Sequence, residues 1–139
     1  MNFGVVVSRT FNNKELFEAV MKRVISAEGN PLKIVSGGAA GADSLAEQWA
    51  KENKIDLIIF YPEYELYNSE ERNWKAAKER NTTIVNNSDL IIAFWDMKST
   101  GTLDTIEKAK ASNRVIYLYN WLNNYLMKMK NEDITFLDF

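Results

Sequence analysis

Short apolar runs alternate along this chain with stretches of helical spacing, and few architectures accommodate that rhythm. Phe3–Val7, Leu32–Val35, Leu57–Phe60, Leu90–Phe94 and Val115–Tyr119 read as strands. Between them, Lys14–Glu28 repeats apolar residues at Leu16, Phe17, Val20, Met21, Val24 and Ile25. Ser44–Lys54 sets Leu45, Ala46, Trp49 and Ala50 on one helical face, and Thr102–Ala111 reads as a further helix. Strands separated by helices pair in parallel, and the helices cover both faces of the sheet. The expected fold is therefore an α/β three-layer sandwich with a mainly parallel sheet of about five strands. A length of 139 residues suits one domain over residues 1–139, with a core of useful size.

Two stretches depart from the rhythm. Residues 61–87 carry Pro62, then a helical stretch rich in Glu, Lys and Arg, in which Arg80-Asn81 reads as the opening of a helix. In the C-terminal extension, residues 121–139, the residues Trp121, Leu122, Tyr125, Leu126 and Met129 form a stripe at helical spacing, followed by a possible edge strand over Ile134–Phe139. Capping of the core explains the stripe, and a subunit interface in a homo-oligomer is the functional alternative.

Composition removes several classes of function. The chain has no Cys and no His, so disulfides, thiolate metal sites, thiol nucleophiles and imidazole acid–base catalysis are excluded. No metal site and no cofactor are expected. A net charge of -2, with cations scattered along the chain, argues against nucleic acid as a partner. Neither a signal peptide nor a long apolar span is visible, so a soluble cytoplasmic protein with no membrane association is expected.

The chemistry concentrates at two turns. Ser36-Gly37-Gly38-Ala39-Ala40-Gly41-Ala42-Asp43 lies between a strand and a helix, where open α/β sheets bind ligands. Glycine permits positive φ and close approach to the main chain, and the N–H groups and dipole of the next helix attract anions. A phosphate-bearing nucleotide is the natural guest of such a Rossmann-like turn. Asp43 suits an N-cap or a ribose hydroxyl, and a tight capped turn is the structural alternative. The second turn, Trp95-Asp96-Met97-Lys98-Ser99-Thr100-Gly101-Thr102, opens the next helix in the same way. Here Ser99, Thr100 and Thr102 can cap or bind phosphate, Lys98 supplies charge, Trp95 offers a stacking face, and Asp96 is the acid nearest the site. Ser8 and Arg9 follow the first strand at the same sheet edge, which makes Arg9 a candidate phosphate clamp; Arg80 is another.

These motifs together, Ser36–Asp43 with Ser44-Leu45-Ala46 behind it, Arg80-Asn81, Phe94-Trp95-Asp96 and Ser99–Thr102, resemble the YspA-like branch of the SLOG superfamily. The resemblance runs from the first strand to about Tyr119. It implies a Rossmann-like nucleotide binder whose two turns hold the ligand, with Arg9, Arg80 and Asn81 lining the pocket. The superfamily also includes lysine-decarboxylase-like phosphoribohydrolases and the DNA-processing protein DprA. Where the branch commonly shows Gly and Arg in the second turn, this chain has Met97 and Thr100. The Pro-Gly-Gly-x-Gly-Thr turn of the phosphoribohydrolases is not reproduced either: Ser36 replaces proline, and Ala42-Asp43 follows Gly41.

The leading expectation is a protein that binds a nucleotide or nucleotide-derived signalling molecule as sensor or sponge, which by analogy with SLOG relatives fits conflict between microbes and their viruses. An N-glycosidic hydrolase of nucleoside phosphates is the enzymatic alternative, with Asp43, Glu47 or Asp96 activating water. A DprA-like single-strand DNA module is the third reading; Trp74, Trp95 and the tyrosines near residue 64 are its only aromatic platforms.

Overall fold

The computed structural model describes residues 1–38, 44–62 and 70–139, with the side chains of residues 70–73 outside that description. Helix and strand periodicities sort the chain into β1 (Asn2–Val7), α1 (Lys14–Glu28), β2 (Lys33–Ser36), α2 (Ser44–Glu52), β3 (Asp56–Ile59), α3 (Glu70–Asn86), β4 (Leu90–Trp95), α4 (Thr100–Ala111), β5 (Val115–Asn120), β6 (Tyr125–Lys130) and β7 (Asp133–Leu137). The described residues form one seven-stranded sheet in the order β3-β2-β1-β4-β5-β6-β7. From β3 to β5 every pairing is parallel, and β6 and β7 add antiparallel at one edge.

Alternation of side chains along the strands divides the interior into two layers. Phe3, Val5 and Val7 of β1 join Leu90, Ile92 and Phe94 of β4 in one cluster, closed by Phe17, Val20, Met21 and Val24 of α1 and Ala46, Trp49 and Ala50 of α2. Their neighbours Val6, Ile91 and Ala93 point the other way, against Ile84 and Val85 of α3 and Ile106 and Ala109 of α4. The chain moves across the sheet in one direction from β1 to β3 and in the other from β3 to β5. Right-handed crossovers in opposite directions put their helices on opposite faces, which accounts for the two layers. α1 is fixed at its start by Asn13, whose side chain accepts from Leu16 N–H at 3.0 Å.

The five parallel strands agree with the sequence reading; the antiparallel pair is the correction. The stripe from Trp121 to Met129 is not a helix. Asn120 Oδ1 accepts from the N–H of Leu122 at 3.0 Å and of Asn123 at 3.4 Å, and Asn124 takes a left-handed φ of 50°. The chain is thereby reversed into β6, because Asn bonds its own following backbone and tolerates that region. A hairpin with φ of 56° at Asn131 leads on to β7, the expected edge strand. Leu126 and Met129 are buried and Trp121 packs on Phe11, with ring centroids 4.9 Å apart, so part of the stripe caps the core. Ile134 and Phe136 on β7 stay exposed. Among the described residues, no helix is long and apolar enough to cross a membrane, and no cluster of acidic residues is placed to hold a metal ion.

Candidate functional site

β1 and β4 are neighbours at the centre of the sheet, and the chain leaves them in opposite directions, to β2 and to β5. Helices therefore diverge above their carboxyl ends and leave a crevice, the usual ligand site of doubly wound sheets. A cavity of about 520 Å³ occupies this place on the α3–α4 side. Ser8 and Arg9 enter it from the end of β1, Gly37 from the end of β2, Ser99, Thr100, Gly101 and Thr102 from the start of α4, and Arg80 and Asn81 from α3. Val6, Val7, Trp74, Ala77, Ile84 and Thr105 complete the described lining.

The structure thus gathers Ser8, Arg9, Gly37, Arg80, Asn81 and Ser99–Thr102 around one space, and among the described residues it leaves Ser36, Gly38, Glu47, Trp95, Asp96 and Lys98 out of the lining. Ala39, Gly41, Ala42 and Asp43 lie outside the described residues. Gly38 has a φ of 66°, and a Cβ there would lie 2.5 Å from the Tyr61 ring, so glycine is required by the turn itself. Ser36 is fully buried with its hydroxyl unpartnered. Strand alternation from Ile34 and Val35 turns that hydroxyl to the α1–α2 face, away from the cavity. Glu47 belongs to α2 and lies on that same face.

Asp96, Trp95 and Lys98 shape the second turn and do not line the cavity. Asp96 Oδ1 accepts from the N–H of Lys98 at 2.9 Å and of Ser99 at 2.6 Å, and Oδ2 accepts from Ser99 Oγ at 2.9 Å. Partial burial pushes the Asp96 carboxyl up, but these hydrogen bonds outweigh it and hold the group below the usual aspartate value. A carboxylate held ionised by its own turn is an anchor and not a proton donor. Trp95 donates from its indole N–H to Ser99 O at 3.1 Å, so its polar edge is also engaged in the turn. Met97 has a φ of 65°, which explains the glycine common at this place in the sequence pattern.

Anchoring of Ser99 exposes the start of α4. Ser99 is the cap residue, yet its side chain makes no cap hydrogen bond, because its hydroxyl is turned to Asp96. The first N–H groups of a helix have no intrahelical acceptor, and here no Ser99 side chain covers them. Thr100, Gly101 and Thr102, which carry these groups, line the cavity. Buried Thr102 and Ser8 are joined through their hydroxyls at 3.2 Å, and Ser8 Oγ accepts from Asp96 N–H at 3.3 Å, which ties β1 to the turn after β4.

α3 bridges the walls. Arg80 donates to Gly37 O at 2.5 Å from Nη1 and to Asn81 Oδ1 at 2.9 Å from Nε. Asn81, almost fully buried, donates to Asp104 Oδ2 at 3.1 Å and to Gly101 O at 3.3 Å. Asp104 in turn pairs with Lys108 at 2.5 Å. These two residues do not open a helix, as the sequence reading had it; they lie in the middle of α3. The stretch is so rich in charged helix formers that its apolar stripe, Trp74, Ala77 and Ile84, is easily missed, and with it the helix start at Glu70. That spacing was also the available signal for the lining residues on α3. Arg9 is exposed and makes no ion pair among the described residues.

No carboxylate occurs among the described lining residues, which include two arginines, five hydroxyl side chains and a helix start. Such a wall favours an anion with several acceptor oxygens. No curated protein and no solved structure matches the chain. Residues 5–67 match the model of the YspA, cpYpsA-related SLOG family, so this segment of the chain is similar to the YspA-like branch of the SLOG superfamily.

Proposed function

We propose that the chain binds a nucleotide or nucleotide-derived signalling molecule in the cavity between α3 and α4, as a sensor or a sequestering protein. Its phosphate lies against Thr100–Thr102, with Ser8 and Arg9 beside it. The observation that carries this reading is the uncapped start of α4 at the cavity wall, created because Asp96 draws the Ser99 hydroxyl aside. The similarity of residues 5–67 to the SLOG family supports a nucleotide-related role. A place in the conflict between microbes and their viruses is the specific form we favour, by analogy with other SLOG proteins.

Native mass spectrometry of protein purified from cells is the direct test. A copurified nucleotide, recovered intact after denaturation, is expected. Arg9→Ala should weaken binding of that compound roughly tenfold to a hundredfold, the effect of one charge-assisted contact. Equal affinities would remove Arg9 from the site. Multiple-turnover release of free base from nucleoside monophosphates would instead establish a hydrolase, whose carboxylate would have to come from outside the described lining. Binding of a single-stranded oligonucleotide without binding of mononucleotides would favour the DprA-like alternative.

A further inference from the structure

We propose that Trp74 stacks on the base of the bound molecule, so that the cavity selects nucleoside phosphates over sugar phosphates and free phosphate. The inference rests on the phosphate reading above and adds the part of the ligand that reading leaves undefined.

Trp74 is the aromatic residue of the described lining, and it remains 39% exposed. An indole left open in a cavity has a face available for a flat ring, and Trp pairs well with any base because every base has a π-face. Lys78, one helical turn further on, places its ammonium 5.7 Å from the ring centroid. That contact steadies the indole. Trp74, Ala77, Asn81 and Ile84 follow one another at helical spacing, so a single face of α3 lines the cavity.

The polarity of that face is ordered along the helix. Asn81 touches the first turn of α4 through Gly101 O and Asp104, at the phosphate end. Trp74 lies seven residues earlier, about 10 Å along the axis at the helical rise. A phosphate ion held at α4 does not span that distance. A ribose spacer carries a base toward it, and Ala77 between the two ends has no polar side chain to compete for the sugar. The volume of about 520 Å³ lies within the roughly 300–1,000 Å³ usual for small-molecule sites and exceeds what a phosphate alone requires.

Calorimetry on the full chain with inorganic phosphate, ribose 5-phosphate and adenosine 5′-monophosphate tests this. In the unaltered protein, adenosine 5′-monophosphate should bind roughly five- to 150-fold more tightly than ribose 5-phosphate, the range expected of one stacked base. Trp74→Ala should abolish that advantage while leaving ribose 5-phosphate affinity unchanged, and Trp74→Phe should retain most of it. Quenching of tryptophan fluorescence by the nucleotide should also disappear in Trp74→Ala. Equal affinities for the two compounds in the unaltered chain, or equal losses for both in Trp74→Ala with the fold intact by circular dichroism, would overturn the stacking role alone. No binding of any of the three probes would overturn the phosphate reading beneath it, and the inference with it.

Discussion

Asp96 shows how one side chain sets the character of the site without touching the cavity. Its carboxylate collects two backbone N–H groups and the Ser99 hydroxyl, and in doing so it both shapes the turn and uncovers the helix start. Because the carboxyl is held below the usual aspartate range, the folded state favours the ionised form. The resulting stability is fully present above the unfolded value, near pH 4, and is lost as pH falls through the lower folded value. Asp96→Asn is therefore expected to cost about 1 kcal/mol at pH 7, a charge-assisted bond discounted for solvent access. In urea titrations that difference should shrink steadily below about pH 4. A difference independent of pH would show that the charge plays no part. The acid was legible in the sequence as the carboxylate nearest the site, but its role was not, since a turn that wraps around its own aspartate leaves no mark in spacing.

At the level of elements, two glycines that look alike in sequence have opposite tolerances. A Cβ at Gly101, in the first turn of α4, meets nothing within 4 Å, whereas one at Gly37 would lie 2.5 Å from Arg80 Nη1. Gly101→Ala should stabilise the chain by about 0.5–1 kcal/mol, since the unfolded state loses freedom and the helix gains a better former. Gly37→Ala should lower the midpoint of thermal unfolding, because the methyl group displaces the guanidinium that bridges α3 to the end of β2. Melting curves of the two variants distinguish these outcomes, and a shift of the same sign in both would mean the Arg80 bridge carries no weight. Helix α3 was the element least legible beforehand. Its charge-rich sequence promises a helix but not its length, and the neighbours that decide which face is buried are α4, which follows after β4, and β1, far away in the chain.

For the molecule as a whole, the C-terminal extension turns a five-stranded parallel sheet into a seven-stranded mixed one. It is fastened to the opposite end of the chain by Glu28 at the end of α1, which accepts from the Tyr117 hydroxyl at 2.7 Å and pairs with Lys128 of β6 at 3.0 Å. The Tyr117 hydrogen bond is the main cause holding the Glu28 carboxyl below its usual range, with Lys128 assisting against the opposing effect of burial. A carboxylate at a helix C-terminus is disfavoured by the helix dipole, which makes the Lys128 charge more valuable here than on an open surface. Lys128→Met should lose about 1–2 kcal/mol in denaturant unfolding, between the limits for exposed and buried pairs. Unchanged stability would mean that the pairing of β6 with β5 and the packing of Trp121, Leu126 and Met129 hold the extension without this ion pair.

Local chemistry determined much of this protein directly. Short continuous apolar runs and helical patterns reveal the five parallel strands and most of the helices, because a strand covered on both faces is apolar along its length whereas a helix buries one face. Glycine and hydroxyl residues at strand ends mark both turns, since backbone freedom and helix capping are properties of adjacent residues. The hairpin from β6 to β7 was decided by tertiary structure: Tyr125, Leu126 and Met129 fit helical spacing as well as a strand, and only pairing with β5, assisted by the Asn120 turn, selects the latter. Tertiary structure also decided which candidates share a space. Whether Arg80 reaches Gly37, whether Asn81 meets Gly101, and whether Trp74 faces the same cavity depend on the face to which each crossover carries its helix. That face is fixed by the order and handedness of strands distant in sequence, which no local pattern encodes.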